Sequence, residues 1–179
     1  GPVYATAATA DLCGILLPDS GKLQEEGAED ANRRHYSKHH PALPLYTEED
    51  ARECLALFEP IERGEITHVA PGVSLTLRHA GHILGAAMAE IAADGASTLF
   101  TGDLGPVTDP ILTPPDRVRQ ADWLVLESTY GNRDTDRSRV AEDLATIVNR
   151  TIARGGRVLI PSFAVGRAQL IQYYLNELR

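Results

Sequence analysis

The chain has 179 residues, of which 43% are hydrophobic and 23% charged, an ordinary globular composition with room for one medium domain or two small ones. No apolar run approaches the roughly 18 residues that cross a membrane, so a transmembrane helix is excluded. The net charge of −8 argues against general nucleic-acid stickiness, but it is uneven: residues 1–130 carry 9 Lys and Arg against 20 Asp and Glu, whereas residues 131–179 carry 8 Arg against 5 acids.

Val3–Thr6 is predicted as a short strand. A helix follows from about Ala7 to Leu17, with Ala10, Cys13, Leu16 and Leu17 at helical spacing, and Pro18 and Gly21 are expected to end it. Residues 19–46 are polar and irregular and are expected to form a long surface excursion with some helix. Thr47 looks like an N-cap, because Glu48, Glu49 and Asp50 suit the positive end of a helix dipole. That helix is expected to run to about Phe58, with Pro60 after it.

From Glu65 the pattern changes to strands. Val69, Val73, Leu75 and Leu77 suggest extended segments broken at Pro71-Gly72. Ala87–Ala92 and Thr98–Thr101 are two further strands, joined across Asp94-Gly95, a strong hairpin signal. Residues 105–121 form a proline-rich loop, and Trp123–Glu127 is an apolar run ending in an acid, with Trp123 expected in the core. A helix over 137–154 is closed by Gly155-Gly156. Arg157–Pro161 is expected as a buried strand, and Arg167–Leu178 as an amphipathic helix. This order predicts an α/β protein.

Three predicted strand ends finish in polar residues beside glycine. They are His79-Ala80-Gly81-His82-Ile83-Leu84-Gly85, Thr101-Gly102-Asp103-Leu104-Gly105 and Glu127-Ser128-Thr129-Tyr130-Gly131. Sites in α/β sheets are built at strand ends, and glycine lets backbone and ligand approach closely. Imidazole nitrogen and carboxylate oxygen on neighbouring strand ends suit zinc, and a carboxylate can bridge two metals. Taken alone, such a pair also fits a structural role, and Gly102-Asp103 also fits a turn.

These strings, followed by Pro161-Ser162-Phe163-Ala164-Val165-Gly166-Arg167-Ala168-Gln169, resemble the metallo-β-lactamase-fold nucleases of the β-CASP group. The resemblance covers nearly the whole chain. It implies part of a metallo-β-lactamase αββα sandwich over residues 1–131, followed by the start of a β-CASP α/β domain over 132–179. By the same resemblance His82 and Asp103 hold metal, with Asp103 bridging two zinc ions. Glu127 supports acid catalysis through a histidine, making Asp103 and Glu127 the expected catalytic residues. The implied activity is zinc-dependent hydrolysis of RNA phosphodiester bonds, with single-stranded RNA as partner and no membrane. Ser162 and Arg167 stand where a strand end meets a helix start, an arrangement that can hold phosphate; a capping serine and a surface arginine are the alternative.

The family's main ligand motif, His-x-His-x-Asp-His, is found nowhere in the chain, nor are a last metal-binding histidine and the later β-CASP motifs. The expectation is therefore an internal fragment of a longer nuclease, inactive alone because two ligands fall short of a zinc site. Two other readings compete: a non-catalytic relative that binds RNA or a partner, and a small-molecule metallo-β-lactamase-fold hydrolase. His79 is read as local packing and His68 as a strand-edge histidine. His35, His39 and His40 lack an acidic or Cys partner at ligand spacing. Cys13 and Cys54 read as core, and the absence of CxxC and of a basic-then-apolar leader predicts a reducing, cytoplasmic setting. Exposed sheet edge and apolar surface make homodimerisation an expectation.

Overall fold

The computed structural model describes residues 1–134 and 136–178. It is an α/β arrangement with two sheets. In chain order the elements are β1 (Val3–Ala5), α1 (Ala7–Arg34), α2 (Glu48–Leu55), β2 (Phe58–Pro60), β3 (Thr67–Ala70), β4 (Val73–His79), β5 (Ala87–Ala93), β6 (Ala96–Phe100), β7 (Trp123–Val125), α3 (Val140–Ala153) and α4 (Arg167–Glu177). β1 pairs parallel with β2. The second sheet has the order β3-β4-β5-β6-β7, antiparallel until β7 joins β6 in parallel. Among the described residues no helix is long and apolar enough to cross a membrane.

The expected stop at Pro18 is corrected: α1 runs 28 residues, through Pro18 to Arg34. An interior proline costs a helix about 3 kcal/mol, but the residues beyond it are good helix formers (Lys22, Leu23, Gln24, Glu25, Glu26, Ala28). They are also held from outside. Ser20 Oγ and Tyr46 Oη are 2.6 Å apart, Glu48 donates its backbone N–H to Glu25 at 3.1 Å, and Asn32 exchanges two hydrogen bonds with Ala42. Gly21 is buried against the start of α2, where a Cβ would stand 2.5 Å from the Thr47 carbonyl oxygen. Glycine at this position permits close helix approach instead of ending the helix. The supposed surface excursion is therefore helical as far as Arg34.

Local signals fixed other elements well. Thr47 and Asp50 form a reciprocal capping box at α2: Asp50 N–H donates to Thr47 Oγ1 at 3.0 Å, and Thr47 N–H to Asp50 Oδ2 at 2.8 Å. The backbone and hydroxyl of Thr47 hold the Asp50 carboxyl below its usual range. Asp94 and Gly95 have φ of 50° and 79°, the left-handed pair that a tight β5–β6 hairpin requires.

The small core lies under the strand ends. Ala80, Met88 and Leu99 are buried, with Ala86, Leu104, Val118 and Ala121 packed against them. Beyond it, two expectations fail. Trp123 is 69% exposed, on β7 at the open edge of the sheet, and all three β7 residues are exposed. Residues 157–161 form no strand, and Leu159 is 90% exposed. Their apolar character marks strand-forming surface, but no further strand pairs beyond β7 among the described residues to cover it.

Candidate functional site

Three strand ends separated by tens of residues in sequence converge. The first is the turn of residues 80–86 after β4. Its ends are tied by Ala80 N–H to Ala86 O at 3.3 Å, and Ala86 N–H closes on Ile83 O at 3.0 Å. The second is the segment 101–105 after β6, tied across by Gly105 N–H to Ala80 O at 2.8 Å. Gly81 and Gly105 pack backbone to backbone so closely that no Cβ could stand on Gly105. Gly81 also has φ of 67°, with the Thr113 carbonyl and Pro115 ring filling the space a side chain would need. The proline-rich loop thus wraps the turn that carries His82.

This convergence places His82 Nε2 3.9 Å from Asp103 Oδ2. The third strand end, after β7, brings Glu127. Its Oε1 accepts the Leu104 N–H at 2.7 Å, its Oε2 accepts the Thr129 N–H at 3.1 Å, and its own N–H donates to the buried Thr101 Oγ1 at 3.2 Å. The Leu104 amide above all, then the Thr129 hydroxyl and amide and the nearby His82, hold the Glu127 carboxyl below its usual range. Glu127 is therefore an ionised acceptor at neutral pH, suited to orienting a donor rather than to giving up a proton itself.

Metal can be tested against this donor set. Two zinc bonds of about 2.0–2.1 Å at a tetrahedral angle put their donor atoms about 3.4 Å apart, so the His82–Asp103 pair needs only a small closing movement to share an ion. Both side chains are solvent-accessible, at 45% and 72%. The pair fits one edge of a zinc site. It does not complete one: among the described residues no three His, Cys, Asp or Glu side chains converge on a common point.

His79, expected in local packing, is engaged by its neighbours. Its Nε2 lies 3.2 Å from Arg63 Nη1, and its backbone exchanges two 2.9 Å hydrogen bonds with Asp116. Cys13 and Cys54 are free, half-buried thiols, and burial followed by the neighbouring Cys54 pushes the Cys13 thiol up.

Ser162 is exposed and donates to Ile160 O at 3.4 Å. It does not cap α4; Gly166 occupies that position. A Cβ on Gly166 would meet Ile83 at 3.1 Å, so the start of α4 sits against the His82 turn. Arg167 opens α4 with its guanidinium 5.8 Å from the Phe163 ring centroid.

Sequence reasoning missed Thr101, Thr6, Thr9 and Asp116, which hold these segments in place through hydrogen bonds across tens of residues. Only Thr101 carried a signal, as the last residue before Gly102-Asp103.

No family model matches the chain. Its sequence does match characterised proteins over nearly its whole length. It is 36% identical to Transcription termination factor FttA of Methanocaldococcus jannaschii, over 99% of the chain and 27% of that protein. It is 35% identical to Ribonuclease TTHA0252 of Thermus thermophilus, over 98% of the chain and 37% of that protein. It is 34% identical to Integrator complex subunit 11 of Danio rerio, over 94% of the chain and 27% of that protein. These relatives are β-CASP metallo-β-lactamase-fold proteins, the group that the chain's motifs resemble. It spans about a quarter to a third of the length of the relatives it matches.

Proposed function

We propose that this chain is the part of a longer zinc-dependent nuclease that carries one edge of the metal site, and that the whole protein hydrolyses RNA phosphodiester bonds. The observation that carries the reading is the convergence of His82, Asp103 and Glu127 from three separate strand ends. Residues 1–131 would belong to a metallo-β-lactamase sandwich and residues 132–179 to the start of a β-CASP domain, with the RNA strand between them.

His82 and Asp103 would hold zinc. When bound, zinc polarises phosphoryl oxygens and acidifies water. The chain's own residues do the rest. The close Gly81–Gly105 backbone contact would set how far apart the His82 and Asp103 segments stand. Glu127, ionised and held by the Leu104 and Thr129 amides, would orient a histidine that donates to the leaving oxygen. Arg167, with Ser162 near it in sequence, would contact the RNA backbone from beside the His82 turn, and the arginines of residues 131–179 would line that wall. With two donors of the three or four that zinc needs, the 179-residue chain alone would hold zinc weakly and cleave nothing.

The test is cleavage of 5′-labelled single-stranded RNA by a full-length protein containing this segment. Expected are cleavage with zinc, loss of at least about a hundredfold in rate in His82→Ala and Asp103→Asn, and no cleavage by the isolated chain. Full activity in either variant would overturn the assignment.

A further inference from the structure

The His82 turn is gripped from a distant part of the chain. Gly85, three residues after His82, has φ of 85° and lies against the first turn of α1, where a Cβ would stand 2.6 Å from both Thr9 N and Thr9 Oγ1. Its carbonyl oxygen accepts from Thr6 Oγ1 at 2.8 Å and from Thr9 Oγ1 at 3.0 Å. Thr6 is 4% exposed. The same Thr6 oxygen caps α1 by accepting the Thr9 N–H at 3.2 Å.

A carbonyl oxygen has two lone pairs, and each threonine has one hydroxyl proton. Both protons can therefore be spent on Gly85 O while Thr6 still accepts the capping bond. A helix N-terminus ordinarily offers backbone donors that repel no carbonyl oxygen; here it adds two side-chain donors aimed at one. The turn of residues 80–86 is then held at both ends: by Gly105 N–H on Ala80 O, and by Thr6 and Thr9 on Gly85 O. His82 lies between the two anchors.

We propose that Thr6 and Thr9 are positioning residues for His82, clamping the turn so that the imidazole stays opposite Asp103. The inference deepens the proposed function and rests on it for its purpose, but the geometry it claims can be measured without RNA or metal. The clamp couples the start of α1 to the candidate metal edge across 79 residues of sequence.

The test uses the whole 179-residue chain and compares Thr6→Val and Thr9→Val with Thr6→Ser, which keeps the hydroxyl. Two quantities are read by NMR: the His82 ring resonance, and amide hydrogen exchange at Ala86, whose N–H closes the turn onto Ile83. The clamp predicts a shifted or broadened His82 ring signal and about tenfold faster Ala86 exchange in both valine variants. Exchange along β4 and β5 should stay unchanged, and Thr6→Ser should restore both readouts. Thr9→Val leaves the capping oxygen of Thr6 in place, so it remains informative if Thr6→Val unfolds the chain. An unmoved His82 signal with unchanged Ala86 exchange in Thr9→Val would overturn the clamp. So would uniform acceleration of every amide, which would mean general stability only. Failure of RNA cleavage by the full-length protein would remove the proposed function and leave these readouts standing.

Discussion

The two halves of the five-stranded sheet differ in what covers them. β4, β5 and β6 are joined by long antiparallel ladders and bury Leu77, Met88 and Leu99. β7 is a three-residue strand paired on one side, with Trp123, Leu124 and Val125 all more than half exposed. In sequence β7 is wholly apolar, more so than β4, β5 and β6, which carry Ser, Thr, Arg, His and Glu among their apolar residues. Apolar character therefore predicts which residues can form a core, whereas partners in space decide which ones do. The candidate site lies on the border between the two. His82 comes from the packed half, Glu127 comes from the exposed half, and Asp103 lies between them at the end of β6.

Substitutions on the two sides of this border are expected to differ in cost. The largest effect is expected at the border. Gly105→Ala places a Cβ on the Gly81 carbonyl, and neither backbone can yield without moving the His82 turn. A loss of about 3–5 kcal/mol in urea unfolding is expected, among the large values that backbone clashes and cavities produce. Within the packed half, Leu99→Ala should cost about 2–4 kcal/mol by the same measurement. Leu124→Ala, on β7 in the exposed half, should cost less than about 1 kcal/mol. If the two leucine variants cost the same, the contrast fails.

Thr47→Ala removes the capping box of α2 and should cost about 1 kcal/mol. The smallest effect concerns how β7 is attached. Asp122 accepts from Ser97 N–H at 2.7 Å and from Ser97 Oγ at 3.0 Å, and these bonds hold its carboxyl below the usual range. A carboxyl lowered in the folded state stabilises the fold above its unfolded value, near 3.9. That stability is lost as pH falls through the lower folded value. Urea unfolding at stepped pH should therefore show an acid-side decline below about pH 5 that is shallower in Asp122→Asn. An unchanged slope would mean that Asp122 does not anchor β7.

Where a signal was local, the sequence was legible. The Asp94-Gly95 hairpin and the Thr47–Asp50 cap each depend on residues within one turn, and both formed where expected. The three strand ends of the candidate site were also readable, because glycine beside a polar residue marks the spot before any partner is known. Pro18 misled because its penalty is local while its compensation is not: Tyr46 and Glu48 hold the helix from more than twenty residues away. The grip of Thr6 and Thr9 on Gly85 was equally invisible, since the carbonyl they hold lies more than seventy residues away in sequence. Arg157–Pro161 misled in the opposite sense: its apolar pattern implied neighbours that the described residues do not supply.

The most direct test of the central claim, that His82 and Asp103 form one metal-binding edge, is a zinc titration of the 179-residue chain, its two single variants and the double variant. The account predicts weak zinc binding that His82→Ala and Asp103→Asn each abolish, with the double variant no worse than either. Undiminished binding in Asp103→Asn, or additive losses, would show that the two side chains do not share an ion. Tight stoichiometric zinc in the unaltered chain would contradict the reading that this segment holds only part of the site.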